Sequence, residues 1–503
     1  MSTFYTRLHY WTQHRPEHIF LTEIETGQSF TYQQSTQAVQ CLCQHLGSSP
    51  QTIFLQFQNS ILNALVWLSA FAGGHVLLPL APDLSERDIA RATEMFHPDI
   101  VFVEQASHRA QFEASGTRVV TREECEAWLT QPLARPNRLP TPPQEGRICI
   151  MTSGTTGEPK GVVLTEQQVA WTADQVRLVH RLGPQDRGLT PLPFFHINAP
   201  VVSLCASLLA GASLVIARRF SRRQFWTWLE QQDITWASLV PAMIAILLEG
   251  DSPPLLPSTL RFVRTGSAPL PAAHLARFEE YIGVPVIETY GLSEAASTIV
   301  ANPLPPEFHK PGSAGRPAGV SLRICKPTTQ ERRLHDVAPG EVGEVCIQGP
   351  NVIQAYYGDT GQEAFVANWF RTGDLGYLDR DGYLFLVGRL RAVINRGGEN
   401  IAPREIEEVL QAHPAVRESV AVGRPHPIYG EEVVAYLALN EPQTRQLEED
   451  LWTHVRRHLR PPKTPVDLII LDALPKNRMG KVDRQQLKLR EETMTCGANV
   501  NAC

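Results

Sequence analysis

Two stretches of the chain repeat the same order: an apolar helical run, a break made of small residues, and a short apolar strand. Residues 68–81 read LSAFAGGHVLLPLA and residues 204–217 read LCASLLAGASLVIA. Apolar strands that alternate with helices are typical of parallel sheets that are covered on both faces. The repetition therefore predicts two similar α/β layers in the first part of the chain.

The length of the chain predicts more than one domain, because a single hydrophobic core rarely serves 503 residues. Residues 61–81 are apolar enough to resemble a membrane span. Gly73, Gly74 and Pro79 interrupt them, so we interpret this segment as a buried helix, a break and a strand. Beyond Arg389, short charged helices and strands follow. The predicted domains are an N-terminal domain at 1–389, a C-terminal domain at 390–490 and a flexible tail at 491–503.

The composition argues against several classes of protein. A net charge of −6 supplies no broad positive field for nucleic acid or anionic lipid. Nine cysteines without a CxxC pair oppose both a disulfide scaffold and a zinc ribbon. The N-terminal segment carries charges and aromatic rings where a secretory signal needs an apolar core. We therefore expect a cytoplasmic protein without an integral membrane segment.

A glycine-rich segment directly follows a short apolar strand. Residues 152–161 read TSGTTGEPKG, with three glycines, four hydroxyl side chains and one lysine. Glycine lets backbone N–H groups approach a polyanion, hydroxyl groups donate to phosphate oxygens, and lysine adds a positive charge. The segment fits neither the Walker pattern nor the GxGxxG dinucleotide pattern. Taken alone, it is consistent with a phosphate-binding loop or with a flexible surface turn.

Four further segments carry side chains that suit a nucleotide. Tyr290 offers an aromatic face for a base, and Glu294 offers a carboxylate for magnesium. Asp374, expected at a tight turn, can accept from two ribose hydroxyls, and Arg389 adds a cation. Lys481 lies on a glycine turn near the C-terminus. Each residue alone also fits a structural role, but their joint occurrence in TYGLSE, RTGD, GR and PKNRMGK favours a nucleotide site.

Together these segments resemble the adenylate-forming (ANL) superfamily of acyl- and aryl-CoA synthetases, nonribosomal peptide adenylation domains and beetle luciferases. The similarity begins with FTYQQ at 30–34 and ends with PKNRMGKVDR at 475–484. It implies an α/β fold with a large N-terminal domain, made of two doubly wound α/β subdomains and a distorted β-barrel. A small, mobile α+β C-terminal domain is implied to follow, joined by a hinge at Arg391.

The resemblance also implies a two-step reaction. A carboxylate attacks the α-phosphate of MgATP, which releases pyrophosphate and leaves an acyl-adenylate; the C-terminal domain then rotates and the acyl group passes to a thiol. The implied cofactors are ATP, Mg²⁺ and coenzyme A. Because a carboxylate is ionised near neutral pH, the first step needs no general base. No GxSxG or HExxH motif supports covalent or zinc-dependent hydrolysis.

Particular residues acquire roles from the same resemblance. Lys481 is implied to bridge the substrate carboxylate and the α-phosphate, which Thr289 also contacts, while residues 152–160 hold the β- and γ-phosphates. The implied catalytic residues are Lys481, Thr289, Glu294, which also binds the metal, and His196, near the acyl channel. The implied ATP and coenzyme A contacts are Thr152, Ser153, Gly154, Thr155, Thr156, Gly157, Lys160, Gly266, Ser267, Ala268, Glu288, Tyr290, Gly291, Asp374, Arg389, Gly397, Gly398 and Glu399.

The acyl acceptor and the acid stay open at this point. GGENI at 397–401 resembles acyl-CoA synthetases, so coenzyme A is favoured over a separate carrier protein. A small carboxylic acid is expected as substrate, and residues 196–199 lack the aspartate of relatives that activate amino acids. Arg264 is expected to form a surface ion pair, with a second substrate carboxylate as the alternative. We expect a monomer or homodimer, with no nucleic-acid partner, no oxygen chemistry and no role as an inactive nucleotide sensor.

Overall fold

The computed structural model describes residues 2–491 except 107–108, 110–111, 113–115, 132–138, 140, 154–158, 251–255, 328–332, 360, 398 and 477–481. At 152, 153, 159, 359 and 400 it describes the backbone alone. The chain divides into two compact units. The first comprises Met1–Pro269, Ala276–Ser321 and Ile347–Phe370, and the second comprises Leu270–Leu275, Leu322–Cys346 and Arg371–Cys503. The domain boundary expected at 389 stays a prediction, and the expected tail falls almost entirely outside the described residues.

Strands occur in both units, and in most of the first unit they alternate with helices. The strands are β1 (Ile19–Glu23), β2 (Ser29–Thr31), β3 (Thr52–Gln56), β4 (Val76–Pro79), β5 (Ile100–Val103), β6 (Arg118–Thr121), β7 (Arg147–Ser153), β8 (Pro159–Thr165), β9 (Arg187–Thr190), β10 (Ser213–Ile216), β11 (Trp236–Leu239), β12 (Phe262–Thr265), β13 (Val286–Leu292), β14 (Ser297–Ala301), β15 (Arg316–Pro317), β16 (Ser321–Cys325), β17 (Gly343–Gln348), β18 (Phe365–Val366), β19 (Trp369–Leu378), β20 (Leu384–Arg389), β21 (Ile394–Arg396), β22 (Glu399–Ile401), β23 (Val416–His426), β24 (Gly430–Leu439) and β25 (Asp467–Ile470).

Among the described residues, helices are fewer than strands. They are α1 (Thr3–His14), α2 (Tyr32–Leu46), α3 (Ile61–Gly73), α4 (Glu86–Phe96), α5 (Arg122–Leu129), α6 (Glu166–Val179), α7 (Ala206–Ala210), α8 (Arg222–Gln231), α9 (Pro241–Leu248), α10 (Ala272–Ile282), α11 (Pro403–Gln411) and α12 (Arg445–His458). A π-helical segment at Ala199–Cys205 leads directly into α7.

The larger sheet of the first unit has nine strands in the order β15-β14-β13-β12-β11-β9-β10-β1-β2. Neighbours from β13 to β1 are parallel, and β2, β14 and β15 add antiparallel edges. From β9 the chain moves to β10 on one side and later to β11, β12 and β13 on the other. Ligands of doubly wound sheets bind at the carboxyl ends of strands near such a reversal. This edge is therefore the expected place for a site.

The second sheet of the first unit has six strands in the order β6-β5-β3-β4-β7-β8. It also reverses, because β4 lies on one side of β3 and β5 on the other. The two sheets confirm the α/β fold class and the predicted pair of layers. Strands β16 to β20 form a smaller, five-stranded sheet in the part of the chain where the resemblance implies a distorted β-barrel.

Helix α3 and strand β4 confirm the interpretation of the apolar segment at 61–81. The Ser60 hydroxyl accepts from the Asn63 N–H at the start of α3, and Gly74 ends the helix with φ 73°. All residues of Ile61–Ala72 are buried, so the helix is apolar on every side because it packs inside the protein. Gly211, with φ 74°, ends α7 in the same left-handed conformation. Within the described ranges, no helix is both long and apolar enough to cross a membrane.

In the second unit, β19 and β20 pair as a hairpin around residues 379–382, whose sequence DRDG predicts a reversal between two strands. Asp374 on β19 lies opposite Arg389 on β20. The expected tight turn at RTGD is wrong, because residues 371–374 continue strand β19. Gly373, with φ 71°, supplies a local irregularity in the strand instead of a chain reversal.

The C-terminal part of the second unit confirms the predicted series of short charged elements. Its sheet has the order β22-β21-β24-β23, with β25 parallel to β24. Helix α11 ends at Gln411, three residues before Pro414. Helices α11 and α12 contribute Ile406, Leu410 and Leu451 to one buried cluster with the sheet. Glu408 on α11 and Arg456 on α12 lie on the exposed faces, which is the pattern expected of amphipathic helices.

Candidate active site

The functional residues of the first unit follow the carboxyl ends of strands in the nine-stranded sheet. His196 comes after β9, Gly266 directly after β12, and Thr289 lies on β13. Because β9, β12 and β13 run parallel, their carboxyl ends lie at the same edge of the sheet. The sequence offered these residues as separate motifs, and the topology explains why they can serve one site.

Arg264 is the penultimate residue of β12 and is 1% exposed. Its Nη1 donates to Asn198 Oδ1 at 2.9 Å and to Ser238 Oγ at 3.3 Å. Its Nη2 donates to Thr289 Oγ1 at 2.6 Å and to Thr298 Oγ1 at 3.2 Å. The surface ion pair expected for Arg264 is therefore wrong, since the side chain is buried and its hydrogen-bond partners are neutral. Burial lowers the pKa of the guanidinium to about 9, so it stays charged at neutral pH.

Thr289 and Gly266 are in close contact beside Arg264. The Thr289 hydroxyl donates to the Thr265 carbonyl oxygen at 2.9 Å while it accepts from Arg264. A Cβ atom at position 266 would lie 2.6 Å from Thr289 Oγ1, so only glycine leaves room for this contact. Ser267 and Ala268, which follow, are exposed, and Ser267 has φ 70°.

Tyr290, Gly291 and Leu292 continue along the same strand. Tyr290 is half-buried, whereas Glu288 is buried and one of its carboxylate oxygens accepts from the Gly312 N–H at 3.1 Å. A Cβ atom at Gly291 would lie 1.8 Å from the Ser297 carbonyl oxygen, so this glycine is required by the β13–β14 pairing. The close pairing of β13 with β14 at Gly291 therefore fixes the position of the neighbouring residue, Tyr290.

Glu294 lies just beyond β13, in a single 3₁₀ turn at Ser293–Ala295. The Tyr356 hydroxyl donates to Glu294 Oε1 at 2.9 Å, and the Ile353 N–H donates to the Glu294 carbonyl oxygen at 2.8 Å. Burial first, and then the neighbouring Glu294 carboxylate, raise the pKa of Tyr356 far above its usual range. Tyr356 therefore stays protonated and holds the carboxylate in place. We did not predict Tyr356, and the motif spacing contains no signal for it.

Lys160 contacts the aromatic ring of the same tyrosine, Tyr356. Its Nζ lies 4.9 Å from the centroid of the Tyr356 ring and 3.6 Å from Glu363 Oε1. The ring thus contacts a cation while its hydroxyl contacts the Glu294 carboxylate. Tyr356 organises the two charged groups that the sequence associated with phosphate and magnesium.

The residues on either side of the glycine-rich segment belong to the paired strands β7 and β8. Thr152 pairs with Lys160, and Ser153 pairs with Pro159. Gly154, Thr155, Thr156 and Gly157 lie outside the described residues, as do the side chains of Thr152 and Ser153. The hairpin confirms that a strand precedes the segment, and its phosphate contacts stay a prediction.

His196 is half-buried in the loop after β9. Its ring contacts Phe195 with centroids 4.4 Å apart, and its backbone N–H donates to the Pro193 carbonyl oxygen at 3.2 Å. Both contacts lie within the loop itself. The acyl-channel role of His196 stays a prediction.

The predicted ribose pair lies in the second unit. Arg389 Nε is 2.9 Å from Asp374 Oδ1, and this salt bridge joins opposite positions of β19 and β20. Asp374 is buried, while the Arg389 side chain is 76% exposed. Arg371 pairs with the buried Glu344 at 2.6 Å and so anchors the start of RTGD. The arrangement presents a fixed carboxylate beside an exposed cation.

The remaining predicted residues also belong to the second unit. Arg391 lies exposed in a 3₁₀ turn at Leu390–Ala392. Gly397 has φ 61°, and its N–H donates to the Tyr429 carbonyl oxygen at 2.7 Å, while Glu399 accepts from Arg460. Gly398 and Lys481 lie outside the described residues.

The donor set fits a magnesium ion that is held mainly by its substrate. Mg²⁺ commonly uses one or two protein carboxylates together with phosphate oxygens and water. Glu294 is one such half-buried carboxylate, and one of its oxygens is already oriented by Tyr356. Over the part of the chain that is described, no group of three or more His, Cys, Asp or Glu side chains could hold a metal ion. A dedicated protein metal centre is thus not seen among those residues.

Comparisons with known proteins identify the family of the chain. The AMP-binding enzyme family model matches residues 8–357, and the model of the AMP-binding enzyme C-terminal domain matches residues 405–481. The chain therefore belongs to the AMP-binding enzyme family, within the adenylate-forming superfamily. It is an enzyme of the ligase class, and its curated relatives place it beside the CoA ligases.

The chain is 38% identical over 456 residues to sulfoacetate–CoA ligase of Cupriavidus necator, which covers 88% of each protein. It is 39% identical to oxalate–CoA ligase of Arabidopsis thaliana, over 68% of this chain and 67% of the relative. A further relative, 2-succinylbenzoate–CoA ligase of Bacillus subtilis, is 37% identical over 67% of this chain and 68% of its own length.

Solved structures share the fold over nearly the whole chain. The o-succinylbenzoate CoA synthetase of Bacillus subtilis, in complex with its acyl-adenylate intermediate, has a TM-score of 0.83 and 29% identity. The match covers 96% of this chain and 97% of that one. An ATP-bound MatB from Rhodopseudomonas palustris gives a TM-score of 0.89 at 24% identity, over 98% and 99% of the two chains.

Proposed function

We propose that the protein is an ATP-dependent acid–thiol ligase, which activates a carboxylic acid as acyl-AMP and passes the acyl group to coenzyme A. The observation that supports this most directly is the cluster at the end of β13. There Tyr356 holds Glu294 and Lys160, which are the carboxylate for Mg²⁺ and the cation for phosphate. ATP, Mg²⁺ and coenzyme A are the cofactors of this reaction.

The first half-reaction joins two anions. A carboxylate oxygen of the acid forms a bond to the α-phosphorus of ATP, and the bond from that phosphorus to the bridging oxygen breaks, so that pyrophosphate leaves. Positioning and charge neutralisation supply most of the catalysis, because the reacting carboxylate is already ionised. When bound, Mg²⁺ neutralises phosphate charge at Glu294. Lys160 provides a fixed cation for the β- and γ-phosphates, and Lys481 provides a second cation at the α-phosphorus.

The second half-reaction moves the acyl group. The thiolate of coenzyme A forms a bond to the acyl carbon, and the bond between that carbon and the bridging oxygen breaks, so that AMP leaves. Gly397 and Glu399 lie on the β21–β22 hairpin, where we propose that the pantetheine arm passes. His196 would line the acyl end of this channel. Asp374 and Arg389 would hold the ribose, and Tyr290 the adenine.

The acid is proposed to be small and to carry a second acidic group. Sulfoacetate, oxalate and 2-succinylbenzoate, the acids in the names of three relatives, each carry a second carboxylate or sulfonate. Indoleacetate, in the name of another relative, carries none. The common chemistry of the first three is therefore the preferred substrate class.

A pyrophosphate-release assay tests the proposed function. Purified protein is incubated with ATP, Mg²⁺ and aliphatic, aromatic and dianionic acids, with and without coenzyme A. We expect AMP and pyrophosphate in equal amounts and an acyl-CoA product that requires coenzyme A. Adenylation without acyl-CoA formation would favour a carrier-protein thiol as the acceptor. Formation of ADP, or no ATP cleavage with any acid, would contradict the proposal.

Replacement of Arg391 with proline tests the proposed hinge. Proline fixes φ and removes the backbone N–H, so it restricts rotation in the exposed turn at Leu390–Ala392. We expect acyl-adenylate formation to stay within about threefold of wild type and thioester formation to fall by about tenfold or more, which corresponds to about 1.4 kcal/mol. Arg391→Ala is the matched control, because it removes the charge and keeps the backbone freedom. Equal loss in both half-reactions would contradict a hinge at this residue.

A further inference from the structure

Arg264 is a buried cation whose hydrogen-bond partners are all neutral. Its four hydrogen bonds go to an amide and three hydroxyl oxygens, and its side chain is sealed from water. Burying a charge without an opposite charge is costly, and such groups concentrate at functional sites. A bound anion near this guanidinium would offset that cost. The question is which side of Arg264 leaves room for an anion.

On the side of Arg264 that faces Thr289, the donor and acceptor roles of the Thr289 hydroxyl are both already filled. The Thr289 hydroxyl accepts from Arg264 Nη2 and gives its own proton to the Thr265 carbonyl oxygen. A hydroxyl has only one proton to donate. This branch therefore ends on the backbone, and its role is to fix Thr289 and β12 relative to each other.

On the side that faces Asn198, a series of hydrogen bonds runs from Arg264 to the protein surface. Arg264 can only donate, so the Asn198 oxygen must face it, and the Asn198 Nδ2 donates to Ser267 Oγ at 3.0 Å. Arg264 is buried, Asn198 is half-buried and Ser267 is exposed. Because the Ser267 oxygen accepts from Asn198, its own proton points to a different partner. Hydrogen bonds in such a chain polarise one another, so the buried charge strengthens the donor at its exposed end.

We propose that this chain, Arg264–Asn198–Ser267, selects the acid by binding its second anionic group, a carboxylate or sulfonate, at the Ser267 hydroxyl. Arg264 is a positioning residue: it acts through Asn198 and does not touch the acid. The inference rests on the proposed function and adds the element that distinguishes a dianionic acid from a monoanionic one. An apolar group in the same place would leave the polarised hydroxyl without an acceptor.

The test compares acids of similar shape. Malonate and isovalerate differ in that an isopropyl group takes the place of one carboxylate, and sulfoacetate adds the sulfonate case. The measured quantity is kcat/KM for pyrophosphate release, and the readout is the ratio of each dianionic acid to isovalerate. We expect the ratio to fall by about 10- to 100-fold in Arg264→Gln and in Asn198→Ala, which is the usual effect of losing a charge-assisted hydrogen bond.

Arg261→Gln is the matched control. Arg261 lies three residues earlier, and its guanidinium pairs with Asp186 at 2.8 Å and donates to the His180 carbonyl oxygen at 3.4 Å. Because these partners lie outside the Arg264–Asn198–Ser267 chain, the ratio should not change. Equal losses for both classes of acid in Asn198→Ala, or a wild-type ratio near one, would overturn the inference. If thermal unfolding shows that Arg264→Gln does not fold, the ratio measured for Asn198→Ala tests the inference by itself. Absence of pyrophosphate release with every acid would instead overturn the proposed function.

Discussion

Replacement of Lys481 with alanine is expected to slow acyl-adenylate formation by about 10²- to 10³-fold, or about 3 to 4 kcal/mol. The reason is that the ammonium group is proposed to bridge the attacking carboxylate and the α-phosphate, two anions that repel each other. Transfer of the acyl group from supplied acyl-adenylate to coenzyme A should stay close to the wild-type rate. Pyrophosphate release and single-turnover thioester formation measure the two half-reactions separately.

Lys476→Ala is the control for this substitution. Lys476 lies five residues earlier and pairs with Glu418 at 2.6 Å, so its charge is already engaged within the second unit. Both half-reactions should therefore stay near the wild-type rate in this variant. If Lys481→Ala slowed both half-reactions equally, the lysine would have a role other than the one proposed.

Replacement of Glu294 with glutamine is expected to lower acyl-adenylate formation by a similar factor, about 10²- to 10³-fold. Glutamine keeps the shape of the side chain and can still accept from Tyr356, but it removes the negative charge that is proposed to bind Mg²⁺. The Mg²⁺ concentration required for half-maximal activity should rise in parallel. Initial rates of pyrophosphate release over a magnesium titration measure both effects.

Tyr356→Phe gives a graded comparison for the same site. It keeps the ring beside Lys160 and removes one hydrogen bond to Glu294, so a smaller loss of about fivefold is expected. Magnesium should partly restore the rate in this variant because the carboxylate is still present. A Glu294→Gln enzyme with the magnesium response of wild type would show that the ion is held elsewhere.

The order of helices and strands could be predicted from the sequence where residue preferences and the apolar pattern indicate the same element. The apolar run of α3, the glycine break and strand β4 are all visible in residues 61–81, and each forms where the pattern predicts. The turn at 379–382 is another such case, since aspartate and glycine favour a reversal between two strands. RTGD contains the same residue types, but it lies within strand β19, which pairs with both β17 and β20.

The contacts of the site were less predictable because they join residues far apart in the chain. The sequence predicts an exposed cation at Arg264. Strand β12 lies inside the nine-stranded sheet, however, and the side chain is buried. Tyr356 is 62 positions from Glu294, and no motif connects them. Only the topology, which brings the ends of β12 and β13 together, shows which side chains act on one another.

The most direct measurement of the central claim follows the oxygen atoms of the acid. The acid is labelled with oxygen-18 in its carboxylate and incubated with the enzyme, ATP, Mg²⁺ and coenzyme A, and the AMP is analysed by mass spectrometry. If the carboxylate attacks the α-phosphorus, each AMP formed carries one labelled oxygen from the acid. Unlabelled AMP, or label found in inorganic phosphate together with ADP, would contradict the account.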